Sequence, residues 1–229
     1  MKIAIRAEGP TDIGVLAYDG TLTKGPMLIL LEKLDCYKEL LSQLGFDEGL
    51  NIDDFIQWEY IHKNKIKDSS VSRKKLVLRS KKDNGFSGIK GFYKNSEAFA
   101  CIAKGRDADM AIFFVDTDKD FSEDRHIQVN AGLSVHGYDE TGVPMIPVKI
   151  SEAWLMCCLS QYQNCANHEN ATTDKTSNLY PKKVCDASGS TTHEIAENCD
   201  PNKISMPSFD RFRNDFKIAV NSCMHGTCE

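Results

Sequence analysis

The sequence contains no hydrophobic run long enough to cross a bilayer. Apolar stretches such as residues 27–31 end after a few positions, well short of the ~20 residues a spanning helix needs. The opening residues Met1-Lys2-Ile3-Ala4-Ile5-Arg6 lack the architecture of an export signal, which leads us to expect a cytoplasmic protein with no membrane partner. No C-x2-C pair is present, so the nine cysteines do not follow a zinc-binding pattern, and an odd number cannot all pair. In the absence of an export signal the expected state is reduced thiols in core and loops, and Cys223, His225 and Cys228 are read as terminal rather than metal-binding. The chain also lacks the composition of a disordered one: 229 residues with 41% hydrophobic and 27% charged can fill a core, as one elaborated domain or two small ones. No internal repeat is apparent.

What the chain does have is charge unevenly spread. The net charge of −5 argues at first against a nucleic-acid partner. Residues 61–94, however, carry eleven Lys or Arg, among them Lys63, Lys74, Lys75, Lys81 and Lys82, against two Asp. That segment is therefore +9, and the remainder of the chain −14. A basic stretch on an acidic body can form a local phosphate-binding surface, with Phe86, Phe92 and Tyr93 placed to stack on bases. A solvated loop beside one exposed helix face accounts for the same run, and composition alone does not choose between them.

Hydrophobic periodicity gives a coarse map. Residues 2–7 alternate as a strand that stops at Glu8-Gly9-Pro10, and Thr11 or Asp12 can cap a short helix to residue 17. Residues 27–44 show helical spacing and 55–62 read as a strand with Ile56, Trp58, Tyr60 and His62 on one face. Residues 95–103 read as a helix with a stripe of Ala98, Cys101 and Ile102. The continuous apolar run of residues 110–115 has the look of a central parallel strand covered on both faces. A strand over 143–150 and a helix from Ser151 follow. Residues 161–206 read as polar and irregular with one short helix near 193–198. Phe209, Phe212, Phe216 and Ala219 then mark a final amphipathic helix, its stripe facing the core. Strands alternating with helices imply an α/β fold with a mostly parallel sheet. The expected division is a core of residues 1–160, with the basic insertion at about 61–94, and a C-terminal elaboration of residues 161–229.

Acidic residues recur where such sheets bind ligands, beyond the carboxyl ends of the strands. Glu8 follows the first strand, Asp116-Thr117-Asp118-Lys119-Asp120 follows the apolar one, and Glu152 follows the strand over 143–150. Carboxylates two apart on extended backbone share a side. Two of them meeting Glu8 would form a hard oxygen site suited to Mg²⁺ or Mn²⁺. Any single Asp among these is more simply a loop cap; the set at strand ends points to a site.

Ile3-Ala4-Ile5-Arg6-Ala7-Glu8-Gly9-Pro10-Thr11-Asp12 resembles the strand–glutamate–glycine signature of TOPRIM domains, and Ala111-Ile112-Phe113-Phe114-Val115-Asp116-Thr117-Asp118-Lys119-Asp120 their strand–D-x-D signature. TOPRIM domains occur in topoisomerases, primases and overcoming-lysogenisation-defect nucleases. The closer likeness is to stand-alone bacterial TOPRIM-like proteins, several of them anti-phage defence components encoded beside an ATPase. It extends in short pieces to Pro147-Val148-Lys149-Ile150-Ser151-Glu152-Ala153-Trp154-Leu155, Tyr180-Pro181-Lys182-Lys183 and Pro207-Ser208-Phe209. The resemblance implies a Rossmann-like TOPRIM sheet and phosphodiester cleavage in DNA or RNA by metal-activated water. Carried over by position, it makes Glu8 a metal-linked acid or general acid/base, Asp116 and Asp118 Mg²⁺ (or Mn²⁺) ligands and Asp120 an auxiliary ligand. It implies an ATPase partner and leaves a homo-oligomer open. It also favours phosphate binding by Lys74, Lys75, Lys81, Lys82, Lys182 and Lys183. Glu152 either completes the acidic cluster or sets the turn that packs Trp154 into the core. Arg6 and Ala7 depart from the more apolar strand end expected there.

Two other readings compete with this one. Asp19-Gly20-Thr21-Leu22-Thr23 resembles the haloacid-dehalogenase phosphatase motif, but position 17 is Ala17, where that chemistry needs its nucleophilic aspartate. The other is a catalytically silent binding or sensor subunit on the same fold. The histidines, His126 and His136 included, call for no special role, and Asp124-Arg125 reads as a local ion pair.

Overall fold

The computed structural model describes residues 1–7, 12–16, 22–68, 91–116 and 123–225. Six strands and ten α-helices are assigned among them. Four strands, β1 (Lys2–Ala7), β4 (Gln57–His62), β5 (Met110–Phe114) and β6 (Gly142–Met145), form one all-parallel sheet in the order β4-β1-β5-β6. Ile3 pairs with Trp58 on one side and Met110 on the other, and Phe113 pairs with Pro144. Pro144 is tolerated because β6 is an edge strand, where a missing N–H breaks no ladder.

Side chains alternate between two cores, as the pleat requires. Ile3, Ile5, Met110, Ile112, Phe114, Val143 and Met145 face one cluster. That cluster is completed by α1 (Pro26–Glu32), α2 (Asp35–Gln43), α6 (Glu152–Leu159), α9 (Thr192–Asn198) and α10 (Pro207–His225). Ala4, Ala111 and Phe113 face the other, against α3 (Lys63–Asp68), α4 (Gly91–Lys104) and α5 (Glu123–Ser134). The chain is thus α/β with helices on both faces, as read from the continuous apolar run at β5. The Phe209–Phe212–Phe216 stripe is core, and Trp154 lies edge-on to Phe209 with ring centroids 4.8 Å apart.

Several elements differ from expectation. The short helix predicted through residue 17 does not form over the described residues 12–16. Gly14–Leu16 (β2) instead pairs antiparallel with Leu22–Lys24 (β3). Gly14 carries φ +123°, and a Cβ there would sit 2.3 Å from the Thr23 carbonyl oxygen, a packing only glycine permits. The single helix expected over residues 27–44 breaks at Lys33–Leu34 into α1 and α2, with Leu34 in an extended conformation. In α4 the buried face is Ala98, Phe99, Ala100 and Ala103, while Cys101 and Ile102 are half-buried. Residues 161–206 hold three short α-helices, α7 (Cys165–His168), α8 (Pro181–Ala187) and α9, and a 3-10 turn at Pro201–Lys203. Thr191 opens α9 with a reciprocal capping box to Glu194, and Pro181 opens α8 at a position where its missing N–H costs nothing.

The expectation of reduced thiols is corrected. Cys157 is bonded to Cys165 and Cys158 to Cys199, with Cα separations of 4.8 and 5.5 Å. Residues 41 apart in sequence are brought together where α9 ends against α6, a proximity that spacing alone does not disclose. Cys36, Cys101, Cys185 and Cys223 are free, and Cys228 lies outside the described residues. None of the helices searched among the described residues is long and apolar enough to cross a membrane.

Candidate functional site at the carboxyl edge of the sheet

The strand order creates one special position. From β1 the chain passes to β4 on one side, and from β5 it passes to β6 on the other. The β1-to-β4 connection runs through α1 and α2 on one face, whereas the connections into β5 and β6 run through α4 and α5 on the opposite face. The crossovers from β1 and from β5 therefore leave in opposite directions, so a topological switch point falls between the carboxyl ends of these two parallel strands, the place where open α/β sheets bind ligands.

Arg6 forms the floor of this edge. It sits on β1 at the last register position shared with β5, opposite Phe113, and is 5% exposed. One Nη1–H donates to the Phe114 carbonyl, and the guanidinium lies 4.8 Å from the centroid of the Phe113 ring. A buried guanidinium is sustained by hydrogen bonds, ring contact and opposite charge together. The polar residue that looks out of place at the end of a strand is thus built into the core.

Asp116 follows two residues after β5, partly buried, with Oδ1 shielded from solvent. Asp12 enters from the β1 side: Ser151 Oγ donates to its Oδ1 at 3.3 Å, and its carbonyl accepts from the Met27 amide at 2.9 Å. The tie of Asp12, a cap candidate in the sequence, to the segment after β6 comes from the fold. Lys149 lies two residues before Ser151 and adopts φ +65°, a left-handed conformation that is uncommon for a residue with a side chain. Its Nζ donates to the carbonyls of Asn170 and Ala171 at 3.1 and 3.0 Å, anchoring this turn to the segment after α7. Residues with such backbone cluster at ligand sites more than chance allows.

Of the predicted acids, Glu8, Asp118 and Asp120 lie outside the described residues, as do Lys74, Lys75, Lys81 and Lys82. Glu152 is the first residue of α6 and half-buried. Burial, and next the Glu152 carboxylate, push the Cys185 thiol up to about 12, which places that carboxylate's field on the α8 side. Trp154, two residues on, is fully buried and its indole N–H donates to Ser208 Oγ at 2.9 Å. Lys182 and Lys183 are exposed in the first turn of α8, and Lys183 Nζ donates to the Thr176 carbonyl at 3.0 Å. Among the described residues no three His, Cys, Asp or Glu side chains group as a metal site.

Two further relationships went unread in the sequence. His126, on α5 and 4% exposed, is 2.8 Å from the Asp215 carboxylate of α10 through Nε2, and Asn130 reaches its Nδ1 at 3.2 Å. Arg125 lies over the Phe92 ring at 5.0 Å, and the ion pair expected with Asp124 falls on a side chain outside the described residues.

In chain order α3 follows the end of β4 at His62 and α4, opening at Gly91, leads to β5; the rest of the basic insertion lies outside the described residues. Comparison of the chain with protein-family models, with curated proteins and with solved structures yields no match.

Proposed function

We propose that the chain is a TOPRIM-like nuclease that hydrolyses phosphodiester bonds of DNA or RNA with Mg²⁺ or Mn²⁺. The observation that supports this reading is the reversal of strand order between β1 and β5, because the two acidic motifs, Glu8 and Asp116-Thr117-Asp118, follow those two strands in the chain. Carboxylate oxygens fit a hard divalent cation, and Asp116 brings one to the carboxyl end of β5. Glu8, Asp116 and Asp118 would hold the cation, with Asp120 as auxiliary. When bound it supplies activation of water and neutralisation of the phosphoryl oxygens. This chain's own residues do the rest. Arg6 fixes the β1 and β5 ends relative to one another, Ser151 and Lys149 hold the wall after β6, and the +9 segment draws the polyanion toward this edge. An ATPase partner and a role in anti-phage defence rest on the family resemblance alone.

One observation favours a second reading, a catalytically silent binding subunit. Arg6 is a fixed cation within the same edge and offsets part of the acidic charge that would otherwise recruit a metal. The two readings separate in one assay. Purified protein with Mg²⁺ or Mn²⁺ is incubated with single- and double-stranded DNA and RNA, alone and with an ATPase encoded beside it. The nuclease reading predicts cleavage that Glu8→Ala and Asp116→Ala abolish while the fold is retained. The silent reading predicts no cleavage, and retention of nucleic acid that depends on Lys74, Lys75, Lys81 and Lys82 but not on Asp116.

A further inference from the structure

The two disulfides leave the same helix end from adjacent residues, yet their surroundings differ. Cys157 and Cys165 are both buried, at 0% and 3% exposure. Cys158 is half-buried, and its partner Cys199 is buried beside a phenol. The Tyr162 hydroxyl donates toward Cys199 Sγ at 4.0 Å and accepts from the Asp200 amide at 2.6 Å. Tyr162 is set there by a tight loop inside the first bridge, in which Gln161, Tyr162 and Asn164 all have positive φ.

We propose that the bridges divide labour: Cys157–Cys165 is a permanent staple, and Cys158–Cys199 is a reducible latch on the C-terminal helices. A dithiol reductant reaches the sulfur of Cys158. Its thiolate forms a mixed disulfide there, and the Cys158–Cys199 bond breaks with its electron pair leaving on Cys199. The second thiol of the reductant then displaces Cys158, so the reductant ends as a disulfide and the protein gains two electrons and two protons as two thiols. The Tyr162 hydroxyl, already donating to Cys199, favours the leaving thiolate, and a better leaving thiolate accelerates exchange. The Cys157–Cys165 pair offers no such exposed sulfur. Three buried or half-buried thiols are poor competitors for exchange: burial raises Cys185 and Cys223 to about 12 and Cys36 to about 11, so at neutral pH they stay protonated.

The latch has a defined mechanical consequence. Cys199 ends α9, and α9 is tied on its other side to the β1 connection. Lys33 Nζ donates to the carbonyls of Ala196 and Glu197, and His193 Nδ1 meets the Lys24 carbonyl at 3.1 Å. Opening the bridge removes the covalent link between α6 and α9. The segment 166–199, with Lys182 and Lys183 on it, is then held by packing and hydrogen bonds only. This inference does not depend on the carboxyl edge of the sheet cutting phosphodiesters.

Graded dithiothreitol treatment of the native chain, followed by alkylation and peptide mass mapping, reads each cysteine separately. The expected order is alkylation of Cys158 and Cys199 first, with Cys157 and Cys165 still bridged, and faster hydrogen exchange over residues 166–199 once the latch opens. Folded Tyr162→Phe should lose the same bridge about threefold or more slowly, with the order unchanged. Alkylation of all four before reductant is added overturns the proposal. So does release of both bridges together, release of Cys157–Cys165 first, or a zinc ion held by these four sulfurs in the purified protein.

Discussion

The guanidinium of Arg6 on β1 donates a hydrogen bond to the carbonyl of Phe114, the last residue of β5. It is a side chain bridging two strands at the point where their ladder ends, at the switch point on which the functional reading rests. Replacing it with Met removes the charge and strands the Phe114 carbonyl. We expect Arg6→Met to lower stability by about 1–3 kcal/mol in urea denaturation. Arg6→Lys should recover only part of this, since an ammonium cannot both stack on Phe113 and donate in the planar fork geometry. Full recovery by lysine would show that charge alone matters there.

Glu97 predicts a pH dependence of opposite sign to the usual carboxylate. It is 4% exposed on α4, and its Oε2 has no hydrogen-bond partner among the described residues. Burial pushes its carboxyl up, against a smaller downward pull from Lys94. A carboxyl raised in the folded state binds its proton more tightly there than in the unfolded chain. Its contribution is therefore intact below the unfolded value near about pH 4.3, and is lost as pH rises through the folded value. Glu97→Gln should match wild type near pH 4 and exceed it by about 1 kcal/mol at pH 7, read from urea melts at both pH values. A variant weaker than wild type at pH 7 would reveal an ionised, usefully paired Glu97.

Gly132 sets the spacing between α4 and α5. A Cβ there would lie 2.0 Å from Ser96 Oγ and 2.6 Å from the Tyr93 carbonyl oxygen. Gly132→Ala should cost about 1–3 kcal/mol through overpacking, in spite of alanine's better helix propensity. Adding Ser96→Ala should restore part of the loss and not all of it, because the Tyr93 backbone remains in the way. The melting temperatures of the two variants and their combination measure this; a stabilised Gly132→Ala would mean the helices part easily.

The strands and helices with strong periodicity were legible in the sequence: β1, β5, α6 and α10 lie close to where alternation, the apolar run and the phenylalanine stripe put them. The carboxyl-edge location of Asp116 was legible for the same reason, since it follows directly from β5. Elements set by tertiary contact were not. The β2–β3 hairpin depends on glycines packed against backbone, and the break at Lys33–Leu34 interrupts a helical pattern that continues on both sides of it. The short helices α7 and α8 carry too few periodic hydrophobes to register. Asp12 looked like a cap because its partner Ser151 is 139 residues away. The disulfides were not legible because the cysteine spacing carries no pairing signal and the expected compartment favoured thiols.

The central claim is that a divalent cation binds between the carboxyl ends of β1 and β5. Mn²⁺ binding to the nucleic-acid-free chain, measured by calorimetry or by the loss of free-ion resonance, tests it most directly. The account predicts saturable binding that Asp116→Asn and Glu8→Gln each weaken by about tenfold or more, while Asp109→Asn, at the amino end of β5, leaves it unchanged. Absence of binding, or binding indifferent to Asp116 and Glu8, would contradict it.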